Sequence, residues 1–238
     1  MNKYNYVLYE WYNPVFVILC YNELFKKYPG QEGHYLFKKA KEAMQGAMSL
    51  LGARKLHEDN AYIMQMNRQF QRPDVIAATY KKINGFPTIK ISPLEITEME
   101  EHTNHQNLSK FIIDTKLKKN YTPETIFICM VNKVIQYNIH DIAGKIKSVN
   151  KINPIYIVGK ALNPVSTSFT IASPQPIVAK VGFDLVEQGR NYPYPFRMTL
   201  HEDRTNMNPV MTPHAAKPID LFEFFMLNGM LITKKFDI

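Results

Sequence analysis

The stretch RPDVIAATYKKINGFPTIKISPLEIT, Arg72 to Thr97, decides the fold. Asn84-Gly85 separates two runs rich in β-branched and aromatic residues, the pattern of a two-residue hairpin turn. With those two residues as the loop, Ile83 faces Phe86 and Asp74 falls opposite Glu95. A bulge at Pro87 or Pro93 would shift that register by one residue. Directly opposed carboxylates have β-carbons about 4.5–5.5 Å apart and repel each other unless something neutralises them. A divalent cation does so, and an oxygen-only donor set selects a hard ion such as Mg2+, or Mn2+ in its place. The alternative is a pair of solvated acids at strand ends.

On either side of the hairpin the pattern is helix, strands, helix, strand, helix, strand. Phe37, Ala40, Met44, Ala47, Met48 and Leu51 recur at spacings of three and four, which predicts a helix stopped by Gly52. A second helix is expected from about His105, with Thr103 and Gln106 as a capping box and Leu108, Phe111, Ile112 and Thr115 along one face. Lys110, Lys116, Lys118 and Lys119 are then its basic face. A third runs from about Asn138 to Val149. Strands are expected at Asp74–Tyr80, Phe86–Thr97, Thr125–Val131, Pro154–Val158, Ser168–Ala172 and Ile177–Val186. The proline-dotted segment from Asn191 to Lys217 reads as a long loop, followed by a short helix at Ile219–Leu227 and a closing strand at Met230–Phe236.

Composition bounds what such a chain can be. It has 238 residues, 45% of them apolar, and 29 Lys and Arg against 21 Asp and Glu, a formal charge of +8. That is enough apolar material for one folded α/β domain over 1–238, and too much for disorder. The lysines cluster, so polyanions are natural partners, although solvated lysine faces also serve solubility alone. Cys20 and Cys129 form neither a disulfide framework nor a CxxC motif, which fits a reducing, cytoplasmic setting. The apolar run Val15 to Cys20 is too short to span a membrane. No GxGxxG, P-loop or GxSxG motif is present, so nucleotide cofactors and the usual serine-hydrolase elbow lack support.

Pro73-Asp74 on one strand and Glu95-Ile96-Thr97 on the next, after a helix and before a helix–strand unit, resemble the core of the PD-(D/E)XK restriction-endonuclease-like superfamily. The resemblance covers roughly residues 33–160 and rests on a short, loose motif. It implies a mixed central sheet flanked by helices and a Mg2+-dependent endonuclease that hydrolyses DNA, of restriction type. Asp74 and Glu95 would hold the metal. Thr97 stands where the family has a lysine that orients or activates the attacking water, and a hydroxyl carries no positive charge. Lys90 falls on the face opposite Glu95, so Lys110 on the following helix is the substitute considered. The family also recruits a glutamate from its first helix; here Glu42 reads as solvent-facing and Glu32 lies near the helix start.

On this reading Lys110, Lys116, Lys118 and Lys119, with Arg190 and Arg197 of an aromatic arm carrying Tyr192, Tyr194 and Phe196, contact phosphates. DNA is the expected partner, a homodimer is compatible with it, and no membrane is involved. The rival reading is an inactive nuclease-derived module that binds DNA or a protein. Weaker acidic and histidine sets are Glu98 with Glu100, His102 and His105 with Glu101, and His201-Glu202-Asp203 with His214. Polar caps and solvent exposure account for the histidine sets equally well.

Overall fold

A computed structural model describes residues 10–57, 61–66, 73–83, 86–105, 107–149, 153–161, 167–190, 192–202, 209–214 and 219–224. The protein is mixed α/β, with ten strands among the described residues in the hydrogen-bonded order β10-β9-β1-β2-β3-β4-β5-β6-β7-β8. It divides into two compact units: residues 1–47, 61–91 and 192–238, and residues 48–60 and 92–191. Asn84-Gly85 and the expected closing strand at 230–236 lie outside the described residues.

In the first unit, β1 (Glu10–Tyr12), β2 (Tyr62–Met66), β3 (Val75–Ile83), β9 (Arg197–Glu202) and β10 (Pro209–His214) pair antiparallel, and β4 (Phe86–Met99) begins there. Trp11, Ile63, Ala78 and Met198 form a buried cluster in it. Helix α1 (Pro14–Lys27) starts with Pro14 in its first turn and the Asn13 side chain accepting from the Phe16 amide at 3.0 Å. The segment expected to be a loop over 191–217 instead supplies strands β9 and β10. Its prolines mislead because Pro209 and Pro213 sit on β10, a terminal strand of the sheet, where a missing amide donor costs little. Of the expected helix at 219–227, residues 221–224 are helical and 225–227 lie outside the described residues; Asp220 caps it, its carboxylate accepting from the Phe222 and Glu223 amides.

In the second unit, β4 pairs parallel with β5 (Ile126–Val131), and β5 parallel with β6 (Ile155–Lys160). Strands β7 (Ser168–Gln175) and β8 (Ala179–Asp184) continue antiparallel. The expected strand at 177–186 ends early, since Asp184 caps the short helix α5 (Leu185–Gly189). All six residues of β5 are buried, because helices cover both faces of this sheet. On one side Phe127, Cys129, Val131, Ile155 and Ile157 pack with α3 (Leu108–Ile112) and α4 (Ile139–Lys147) through Leu108, Phe111, Ile142 and Ile146. On the other lies the C-terminal part of α2 (Tyr35–Leu56), with Ser49 donating to the Met130 sulfur at 3.7 Å.

There Gly52 does not stop the helix as expected, since α2 runs on to Leu56, and it meets the sheet instead: a Cβ at this position would sit 2.8 Å from the Phe183 ring. Gly52→Ala is therefore expected to destabilise the protein by about 1–3 kcal/mol through overpacking, although alanine is the better helix former. A urea titration checks this; an unchanged midpoint would mean that Phe183 yields freely.

The second expected helix needs correction at its start and at its end. Its cap is Asn107, whose side chain accepts from the Lys110 amide at 3.1 Å, whereas Thr103 accepts from the Glu100 amide in the preceding turn. After Ile112 the helix widens into a π-helical turn, Ile113–Leu117. The Thr115 hydroxyl donates to the Phe111 carbonyl at 2.7 Å, a side-chain bond that competes with the α-helical ladder at this point. From this turn the Lys116 side chain reaches inward, with only 12% of it exposed.

Candidate active site

Glu95 lies on β4 with its carboxylate in the second unit's interior, 2% exposed. In the parallel register it stands beside Phe127, and Thr97 beside Cys129, so all four point toward α3 and the π-helical turn. From that turn the Lys116 ammonium reaches Glu95 Oε2 at 3.2 Å, with only 12% of the lysine side chain exposed. The Tyr121 hydroxyl lies 3.4 Å from the same oxygen. Burial pushes the Cys129 thiol up to about 12, with Lys116 pulling in the other direction, so it stays a protonated spectator.

Asp74 belongs to the first unit, immediately before β3. Lys39 on α2 lies 3.7 Å from its carboxylate and 2.6 Å from that of Glu42. Glu42 is therefore not the solvent-facing residue expected from the apolar stripe; its side chain is 19% exposed. The reason is that α2 is buried over more than that stripe, with Leu36 and Ala43 also inside. Each of the two carboxylates singled out in the sequence thus carries a lysine ammonium within its own unit.

The remaining candidates scatter. Lys110, Lys118 and Lys119 are exposed, Lys118 pairing with Asp114 at 2.6 Å. That pairing holds the Asp114 carboxyl below its usual range. Lys116 is drawn out of this set by the π turn. Lys90 and Arg190 are exposed. Arg197 is bound to Glu10 at 2.7 Å, which raises its already high pKa. Tyr192 is tied to β2, its hydroxyl donating to the Tyr62 carbonyl at 2.6 Å, and Phe196 stacks on Phe16. Tyr194 gives its backbone carbonyl to the Asn13 side chain.

Glu32 takes the Gly30 amide in an exposed turn. Glu98 accepts from Asn132, and Glu100 pairs with His102 at 2.8 Å, while Glu101 is exposed. His105 packs edge-on against Phe111. His201 and Glu202 are on β9, His214 sits beside Thr199, and Asp203 lies outside the described residues.

Among the described residues, no three His, Cys, Asp or Glu side chains converge as a metal cage. A Mg2+ ion does not need one: it binds through one or two carboxylates and keeps waters for the rest of its shell. A buried carboxylate paired with a lysine is compatible with that mode of binding, and Glu95 is such a group.

The chain matches no protein-family model, no curated protein and no solved structure. The local geometry therefore carries the functional argument. Its least expected member is Lys116, and nothing in the sequence marks it as reaching inward. Among the described residues, no helix is long and apolar enough to cross a membrane.

Proposed function

We propose that the chain is a Mg2+-dependent nuclease that hydrolyses DNA phosphodiester bonds and has a restriction-endonuclease-like core. The observation that carries this reading is the buried Glu95 carboxylate with the Lys116 ammonium on it, on the same strand face as Thr97. The order α2, β2, β3, β4, α3, β5, with β4 and β5 parallel, supports this reading.

Bound at Glu95, a divalent cation would supply Lewis-acid charge and a more acidic water. Asp74 is a further ligand only as the sequence resemblance implies, which the Asp74→Ala variant tests. Lys116, 3.2 Å from Glu95, brings the positive charge that Thr97 lacks and would face the negative charge that develops on the scissile phosphate. The exposed Lys110, Lys118 and Lys119 contribute phosphate contacts to the DNA.

A second reading has a specific observation in its favour. Both carboxylates already carry an ammonium, as purely structural acids would, which suits a non-cutting module that binds DNA or a protein. Supercoiled plasmid incubated with the protein separates the two. The nuclease reading expects nicking or linearisation with Mg2+ or Mn2+ and none with a chelator, together with DNA affinity that falls steeply as salt rises. Salt-sensitive binding without cutting in either metal favours the second reading, and the absence of salt-sensitive binding removes DNA from both.

A further inference from the structure

Strand β8, in the second unit, is a terminal strand of the sheet, and among the described residues it pairs only with β7. The Leu185 amide donates to the Thr167 carbonyl at 3.0 Å. Counting back from that bonded pair along the β7–β8 register assigns the hydrogen bonds to β7 to Phe183, Val181 and Ala179. The backbone of Lys180, Gly182 and Asp184 therefore faces the outer edge. Such an edge is a template for another strand, and prolines guard against it, as Pro209 and Pro213 do on β10 at the other end. Strand β8 has no proline. Its two charged residues, Lys180 and Asp184, have opposite signs and share a face with Gly182, while Phe183 turns the other way, toward Gly52 of α2. Lys180 alone would guard the edge; with Asp184 four residues on, it makes the edge complementary to itself. Exposed apolar side chains flank the strand: Ile177, 63% exposed, lies two positions before it, and Val186, 52% exposed, two positions after.

We propose that β8 docks a second copy of this chain, the two β8 strands pairing antiparallel about a two-fold axis through Gly182. Lys180 of each chain then stands opposite Asp184 of the other, so the same ion pair forms twice. Charge selects this register. An axis at Lys180 or at Asp184 would set like charges face to face, and one at Val181 or Phe183 would put no charge opposite Lys180. Asp184 is ionised for the pairing: the Thr167 hydroxyl and the Glu187 and Val186 amides bond to its carboxyl and hold it below its usual range. Antiparallel pairing also brings the Ile177 end of each strand to the Val186 end of the other, covering both exposed apolar side chains. None of this depends on the reading of Glu95.

The test is sedimentation equilibrium of the wild-type protein and Lys180→Glu over a series of concentrations, joined by oxidative cross-linking of Gly182→Cys. The wild-type protein is expected to dimerise. Lys180→Glu should raise the dimer dissociation constant by about tenfold or more, because two attractive pairs become repulsive, with the thermal midpoint of the exposed-site variant unchanged. Facing residues of a hydrogen-bonded antiparallel pair have Cα atoms about 5.5 Å apart, within disulfide range. A Cβ at Gly182 meets nothing closer than the Phe169 carbonyl oxygen at 3.9 Å, so Gly182→Cys should fold and cross-link to its own copy on oxidation. The wild-type protein should not, since Cys20 and Cys129 are buried. A monomer at every concentration overturns the proposal, as does a dimer that Lys180→Glu leaves equally tight or a Gly182→Cys that fails to cross-link.

Discussion

Lys116→Ala is expected to destabilise the protein by about 3–5 kcal/mol, because it leaves the Glu95 carboxylate buried without its ammonium. The loss is large for one substitution, since the pair is nearly dry: the two side chains are 12% and 3% exposed. Replacing both partners, Lys116→Met with Glu95→Leu, should recover most of that stability, as paired ions and packed apolar side chains of similar volume are often close in free energy. Urea unfolding of the single and double variants measures this directly. A single-variant cost under about 1 kcal/mol would mean that the pair is solvated and that Lys116 does not belong to a buried site. The double variant also separates folding from chemistry: it should fold and fail to cut DNA.

The second large effect is on activity. Asp74→Ala should reduce plasmid cleavage by about a thousandfold or more, the equivalent of the several kcal/mol that a correctly held metal contributes to the transition state. Folding should survive, because Asp74 is partly exposed and Lys39 keeps Glu42 as a partner 2.6 Å away. DNA binding should survive as well, since Lys110, Lys118 and Lys119 are untouched. Cleavage retained in this variant would remove Asp74 from the chemistry.

Much of the architecture can be read from the chain because it rests on periodicity. The stripe from Phe37 to Leu51 marks α2, Asn138 caps α4 as its position before Ile139 implies, and the β-branched runs mark β3 to β8. What escapes has a physical reason in each case. The segment Tyr62–Met66 is buried at all five positions and contains Met and Gln, so β2 shows neither alternation nor strong β propensity. Strand β1 is three residues long and gains its place only through β2 and β9 on either side. Strand β10 hides behind its prolines.

The site is half readable for the same kind of reason. Glu95 stands out because an acid between Leu94 and Ile96 interrupts an apolar run, and the structure buries it. Lys116 does not stand out: straight α-helical spacing puts Thr115 on the apolar face and Lys116 on the basic one, and nothing in the sequence marks the π turn from which Lys116 reaches Glu95. Glu42 is missed because an apolar stripe marks the most buried line of a helix and says little about the flanks. Tyr121 reaches Glu95 only through the β4–β5 register, which no local pattern encodes.

The most direct test of the central claim is calorimetric titration of Mg2+ and Mn2+ into the wild-type protein and into Glu95→Gln, which keeps the side chain's shape and removes its charge. The account predicts saturable binding of one hard divalent ion by the wild-type protein and its loss in the variant. Identical titrations of the two proteins, whether both bind or neither does, would contradict it and leave Glu95 and Lys116 as a structural ion pair.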